Sequence, residues 1–329
     1  MSIVINVPAR AGVLGNPSDG FFGKTLSIPV RNFRAQVVLF EWEKIEILPG
    51  QSDTGNYNSI DELLADIRLN GFYGGMRLIK ATIKQFFDYV KANGLKVPSK
   101  NFTLRYTSNI PRQVGLAGSS AIITAAMKAL CQFYGVAMDK AIMANHVLWA
   151  ETKELGIAAG LQDRVVQVFD EPVFMDFDRE YMERYGYGKY EPVPKELVPQ
   201  LYLAYQVDLT HKDVVHNDVR KRWESGDKDV INIMAQLANN AVEGYAALKA
   251  KQIDVFKACI NKNFDLRASI YPIAEKNMRM IKLARDIGAT SKFPGSGGAI
   301  IGTYESEAQF KELFHAFAEI GCNVIKIEI

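Results

Sequence analysis

Apolar and polar positions alternate at the start of the chain. Residues 3–7 read as a strand, as do 26–30, 35–41 and 44–48, and the stretches 26–30 and 35–41 are expected to pair with each other. The first 50 residues are therefore mostly β. Between the first two strands, 8–20 is dense in Gly, Pro, Asn and Asp and reads as a turn-rich loop. The period then lengthens. Ser59-Ile60-Asp61-Glu62 is a capping box ahead of an apolar stripe at Leu63, Leu64 and Ile67, and a second helix is expected over 73–92, stopped by Asn93-Gly94. A strand at 101–106 leads to a helix at 121–133. Asp139 caps the next helix, which runs to Leu155 and stops at Gly156. Further on, strands are expected near 201–207, 299–301 and 324–329, and helices over 227–248, 252–263, 278–287 and 306–320. The stretch 178–198 is charged, aromatic and Pro-bearing, and a domain boundary is placed there. The second half reads as an α+β sandwich.

Composition narrows the class. The chain has 329 residues, 39 basic against 37 acidic, which argues against a nucleic-acid groove or a membrane-surface patch. No apolar run is long enough to span a bilayer, and the N-terminus lacks the apolar core of a signal peptide. Cys131, Cys259 and Cys322 stand far apart in apolar surroundings, as buried thiols in a reducing compartment do. His146, His211, His216 and His315 have no metal-ligand spacing. The expected location is the cytoplasm.

Candidate chemistry centres on Pro111, Arg112, Gln113, Val114, Gly115, Leu116, Ala117, Gly118, Ser119, Ser120 and Ala121. A strand enters this glycine-containing loop and a helix leaves it, with Ser119 and Ser120 as expected N-caps. Helix N-termini present unpaired N–H groups, and glycines admit a bulky anion, so the loop suits a phosphate; an ordinary capped junction fits equally well. Neither a Walker-type nor a dinucleotide-fold glycine pattern occurs. Glu151 sits in the last turns of a helix, where the dipole opposes it; a bound cation or the nearby Lys153 would account for it. Asp163 falls at an expected helix start, which favours the ionised carboxylate. The loop holding Arg10 and Asp19 is unusually long for a connector. A second Gly-rich loop, Pro294-Gly295-Ser296-Gly297-Gly298-Ala299, enters a strand.

Taken together, Arg10 to Asp19, Gly115 to Ala121 and Pro294 to Ala299 resemble, in order and location, the three motifs of the GHMP small-molecule kinases, the family of galactokinase, homoserine kinase, mevalonate kinase and phosphomevalonate kinase. In the first motif Arg10, Gly15 and Asp19 agree with the galactokinase branch, while Asn16-Pro17 replaces Glu-His. The plant-type glucuronokinase branch is more similar: it shares Gly15 to Thr25, Tyr73-Gly74-Gly75, Asn109 to Gln113, Glu154 to Ile157, Gly160 to Val165 and Asn263 to Arg267.

The resemblance implies an α+β fold with a ribosomal-protein-S5-like N-terminal domain, 1–190, and a ferredoxin-like C-terminal domain, 191–329, with the active site in the cleft between them. It implies an ATP- and Mg²⁺-dependent sugar kinase acting on an anomeric hydroxyl, with glucuronate the first candidate. A galactose-, fucose- or heptose-type substrate, or a catalytically silent sensor, are the alternatives. The partners are a small sugar and ATP, with no nucleic acid or membrane; a homodimer is compatible with the family. By the same resemblance Gly115 to Ser120 cradle the phosphates, Ser119 (or Ser120, since Gly118 stands where relatives carry Ser) and Glu151 face the metal, Asp163 is the base and Arg10 the cation beside it. Asp19 accepts a sugar hydroxyl, and Gly295, Ser296, Gly297 and Gly298 close over the substrates. Arg112, Lys212 and Arg267 are the candidates for reading a substrate carboxylate.

Overall fold

The computed structural model describes residues 2–48, 75–207 and 218–329. The helix expected around Leu63, the pair Tyr73-Gly74 and the segment Thr210-His211-Lys212-Asp213 lie outside the described residues.

In chain order the strands and α-helices are β1 (Ser2–Leu14), β2 (Lys24–Trp42), β3 (Glu46–Leu48), α1 (Gly75–Ala92), β4 (Asn101–Ser108), α2 (Gly118–Tyr134), α3 (Lys140–Trp149), α4 (Leu161–Phe169), β5 (Val173–Asp176), α5 (Arg179–Tyr185), β6 (Lys189–Pro192), β7 (Leu201–Gln206), α6 (Asp218–Glu224), α7 (Lys228–Lys249), α8 (Ile253–Ala268), α9 (Glu275–Asp286), β8 (Ala299–Thr303), α10 (Glu307–Glu319) and β9 (Cys322–Lys326). The fold is α+β. Two compact units interleave along the sequence. One comprises Met1–Ala9, Phe33–Pro111 and Ala117–Asp170; the other comprises Arg10–Asn32, Arg112–Leu116 and Glu171–Ile329.

Two expectations are corrected. Residues 8–14 are strand rather than loop, because their backbone finds distant partners: Arg10 N–H donates to Leu116 O at 3.2 Å and Gly12 N–H to Pro294 O at 2.9 Å. Residues 26–30 and 35–41 do not pair with each other but belong to one long strand, β2. Its polar middle stays extended because Arg31 N–H donates to Glu328 O at 2.8 Å and Asn32 Nδ2 to Lys326 O at 3.0 Å.

In the first unit, 35–42 of β2 runs antiparallel to β4, and β3 adds parallel to β4. Val37, Leu39 and Leu104 are fully buried. Phe86 of α1 stacks on Tyr134 of α2 with ring centres 5.5 Å apart. In the second unit, 24–27 of β2 pairs antiparallel with β5, and β5 with β6. A separate antiparallel sheet of order β8-β7-β9 buries Tyr202, Ala204, Ile300 and Val324 with helix residues Phe264, Met280, Ile281, Leu313 and Phe317. Caps at Asp139, Asp227 and Ser306 accept N–H bonds as their sequences require. All three cysteines are free and buried.

Candidate active site

The loop from Arg112 to Ala121 is divided between the units, with Arg112–Leu116 in the second and Ala117 onward in the first. Helix α2 starts at Gly118, and its N-cap is Ala117 in a left-handed conformation (φ 60°, ψ 45°), not either serine. Ser120 Oγ instead donates back to Ala117 O at 3.1 Å, and Gln167 Nε2 donates to the same carbonyl at 2.9 Å. These bonds fix the turn, so the first N–H groups of α2 project from a rigid corner. Ser120 is 1 % exposed, whereas Ser119 in the same turn is half-buried.

Glu151 lies in a π-helical turn, Ala150–Glu154, that follows α3. π turns of this kind recur at functional sites. Its partner is not Lys153, whose ammonium sits over the Trp149 ring at 3.6 Å. Glu151 Oε2 accepts from Arg164 Nε at 3.0 Å and also from Nη2. Arg164 Nη1 donates to Gly160 O at 2.8 Å and to Asp163 Oδ2 at 3.1 Å. One buried guanidinium therefore joins the two acids singled out in the sequence. Asp163 occupies the first turn of α4, as expected.

The second unit gathers the other motifs. Arg10 is 4 % exposed, and its Nη1 donates to Pro294 O at 2.6 Å and Gly115 O at 3.4 Å. Gly115 and Gly295 approach backbone to backbone. A Cβ at Gly295 would stand 2.1 Å from Gly115 O, and one at Gly115 2.7 Å from Ser296 N. Only glycine fits such an approach. Gly15 N–H donates to Asn263 Oδ1 at 2.5 Å, and Asn263 Nδ2 returns to Asn16 O at 3.2 Å. Arg267 is buried, with Nη1 donating to Gly295 O at 2.7 Å; burial lowers its pKa, opposed by the phenol of Tyr271 and the carboxylate of Asp19. Arg112 is exposed.

Lys292 was not singled out from sequence. It is 1 % exposed and donates to Gly12 O and Phe293 O, both at 2.8 Å, and to Asn16 Oδ1. Burial, then the charges of Arg267 and Arg10, push its pKa well below the ordinary lysine value. Its ammonium ties the first motif to the Gly-rich loop. Arg164 was also missed as a partner, although an arginine directly after a candidate base was the available signal.

Among the described residues no cluster of three or more His, Cys, Asp or Glu side chains could hold a metal. Glu151, whose Oε2 already holds Arg164, and the half-buried Ser119 carry hard oxygens of the kind Mg²⁺ takes, the ion characteristically binding one or two protein oxygens and filling its shell with water and substrate phosphates. Among the described residues no helix is long and apolar enough to cross a membrane.

Residues 77–171 match the family described as GHMP kinases N terminal domain. Probable glucuronokinase 2 of Arabidopsis thaliana is 45% identical over 300 residues, covering 89% of this chain and 82% of its own length. Glucuronokinase 1 of the same plant is 43% identical over 299 residues, with the same two shares. Among solved structures, Lactococcus lactis galactokinase complexed with galactose superposes with a TM-score of 0.76 at 14% identity, covering 100% of this chain and 93% of that one. The last likeness establishes the fold.

Proposed function

Because the chain belongs to the glucuronokinase branch of the GHMP kinases, we propose that it transfers the γ-phosphoryl group of ATP to the anomeric hydroxyl of glucuronate, giving glucuronate 1-phosphate and ADP. The observation that carries this reading is the 45% identity to a glucuronokinase across 89% of the chain. The nucleotide-binding domain is proposed to run over 1–190 and the C-terminal domain over 191–329.

Backbone N–H groups from Gly115 to Ser120, at the start of α2, hold the ATP phosphates. Glu151 and Ser119 are the residues that would hold Mg²⁺; Ser119 is preferred to Ser120 because Ser120 is buried and directed at Ala117 O. When bound, the metal neutralises charge on the phosphate oxygens. Asp163 accepts the proton of the anomeric hydroxyl as its oxygen bonds to phosphorus. Arg164 fixes the carboxylate of Asp163 for that task. Arg10 supplies positive charge to the phosphoryl group in flight. Asp19 accepts a sugar hydroxyl, and Gly295 to Gly298 close over the substrates. We place the enzyme in the cytoplasm.

The test is product identification. Incubation with glucuronate and Mg²⁺-ATP, followed by ³¹P NMR, should show a new phosphate resonance split by the anomeric proton. A phosphate on another carbon, or ADP formation without sugar phosphate, would count against the reading.

A further inference from the structure

The short helical turn Ser18–Phe21 brings Asp19 and Phe21 to the surface of the second unit. Arg220 of α6 meets this turn. Its guanidinium lies over the Phe21 ring at 4.7 Å, and its Nη2 stands 3.2 Å from where a Cβ would be at Gly20. Trp223, on the same helix, packs edge-on to Phe21 at 5.6 Å. The Phe21 ring gives Arg220 a flat apolar support. On the other side stands Arg267 of α8, over the Tyr271 ring at 5.3 Å. The charges of Arg267, Asp19 and Arg220 all act on the Tyr271 phenol.

Among the described residues the guanidiniums of Arg220 and Arg267 act on the same phenol as the carboxylate of Asp19, and that of Arg179 lies over the rings of Phe22 and Trp223. Arg267 is buried, and its Nη1 already holds Gly295 O. Arg220 is half-buried. It is thus the guanidinium of the pair that an incoming ligand can reach. A planar guanidinium supported on an aromatic ring matches the two oxygens of a carboxylate. Asp19 alongside would accept a neighbouring hydroxyl, and would itself be poorly placed to receive the acid. A sugar acid, rather than a neutral sugar, satisfies both groups at once.

We propose that Arg220 is a specificity-determining residue: its guanidinium receives the substrate's carboxylate in a bidentate pair, while Asp19 accepts an adjacent hydroxyl. This rests on the reading of glucuronate as substrate. Arg220 is remote in chemistry from the transfer step, so its interaction contributes mainly to substrate binding.

The test compares the unaltered enzyme with Arg220→Ala and Arg220→Lys, measuring kcat and KM for glucuronate and for glucose, KM for ATP, and the melting curve of each protein. The expected result is a fall in kcat/KM for glucuronate of about 100-fold or more in Arg220→Ala, carried mostly by KM, with the glucuronate-to-glucose ratio collapsing and KM for ATP held. Arg220→Lys, which keeps the charge but loses the fork, should retain part of the preference. A glucuronate preference that survives Arg220→Ala overturns the assignment and leaves the substrate reading standing. An equal loss on both sugars makes Arg220 a structural support of the Phe21 turn and also overturns it. An unaltered enzyme with no preference for glucuronate overturns the substrate reading, and the proposal with it.

Discussion

Arg164 holds Glu151 through two N–H groups that converge on Oε2, the Nε bond being 3.0 Å, and both residues are almost fully buried at 4 % and 2 % exposure. The same guanidinium reaches Asp163 at 3.1 Å. Removing one partner from a buried pair strands the other charge away from water and typically costs about 3–5 kcal/mol. Arg164→Ala should therefore lower stability by about that much in chemical denaturation, with a smaller loss in Arg164→Lys. A change under about 1 kcal/mol would show that water reaches the pair as it reaches surface pairs.

Glu151→Gln probes the same junction from its other side. The amide cannot balance Arg164, so both stability and metal response should suffer. The Mg²⁺ concentration for half-maximal activity should rise when measured well below the variant's melting temperature. A melting point that drops while the Mg²⁺ titration stays in place would make Glu151 a structural ion-pair residue only.

Asp163→Asn should lower kcat by about two to four decades while ATP still binds, the usual worth of a positioned general base. The nucleotide can be followed by calorimetry. Turnover close to that of the unaltered enzyme would reduce Asp163 to an acid at a helix start.

Lys292→Met removes a donor from Gly12 O, Phe293 O and Asn16 Oδ1 at once, Phe293 O keeping its bond from Asn16 Nδ2 at 3.1 Å. Each buried acceptor left unsatisfied costs about 1–3 kcal/mol. The variant should be markedly destabilised, and activity should fall with it because the first motif and the Gly-rich loop lose their shared anchor. An unchanged denaturation midpoint would mean that water replaces the ammonium.

Much of this was legible in the chain. Helix α3 starts behind Asp139, the cap expected there, and α7 and α10 start within one residue of the expected 227 and 306, because a cap and its first turn are local events. The lengths of β1 and β2 were not legible. Their turn-like residues stay extended because β1 pairs with β2 and because Leu116, Pro294 and Glu328 supply acceptors from far along the sequence, which no local window contains. The start of α2 was misplaced by one residue's conformation, the left-handed Ala117. The motif loops stood out by composition, but the mutual approach of Gly115 and Gly295 is a tertiary fact. Arg220 carried no signal: it lies in a charged helix whose sequence says nothing of the Phe21 ring beneath it.

The substrate is the claim on which the rest turns, and kcat/KM for glucuronate against glucose, read as ADP release at saturating Mg²⁺-ATP, tests it most directly. A site built for a carboxylate leaves its donors unpaired when the neutral analogue binds, so glucuronate should lead by about three decades or more. Equal values for the two sugars, or a clear preference for galactose in the same assay, would contradict it.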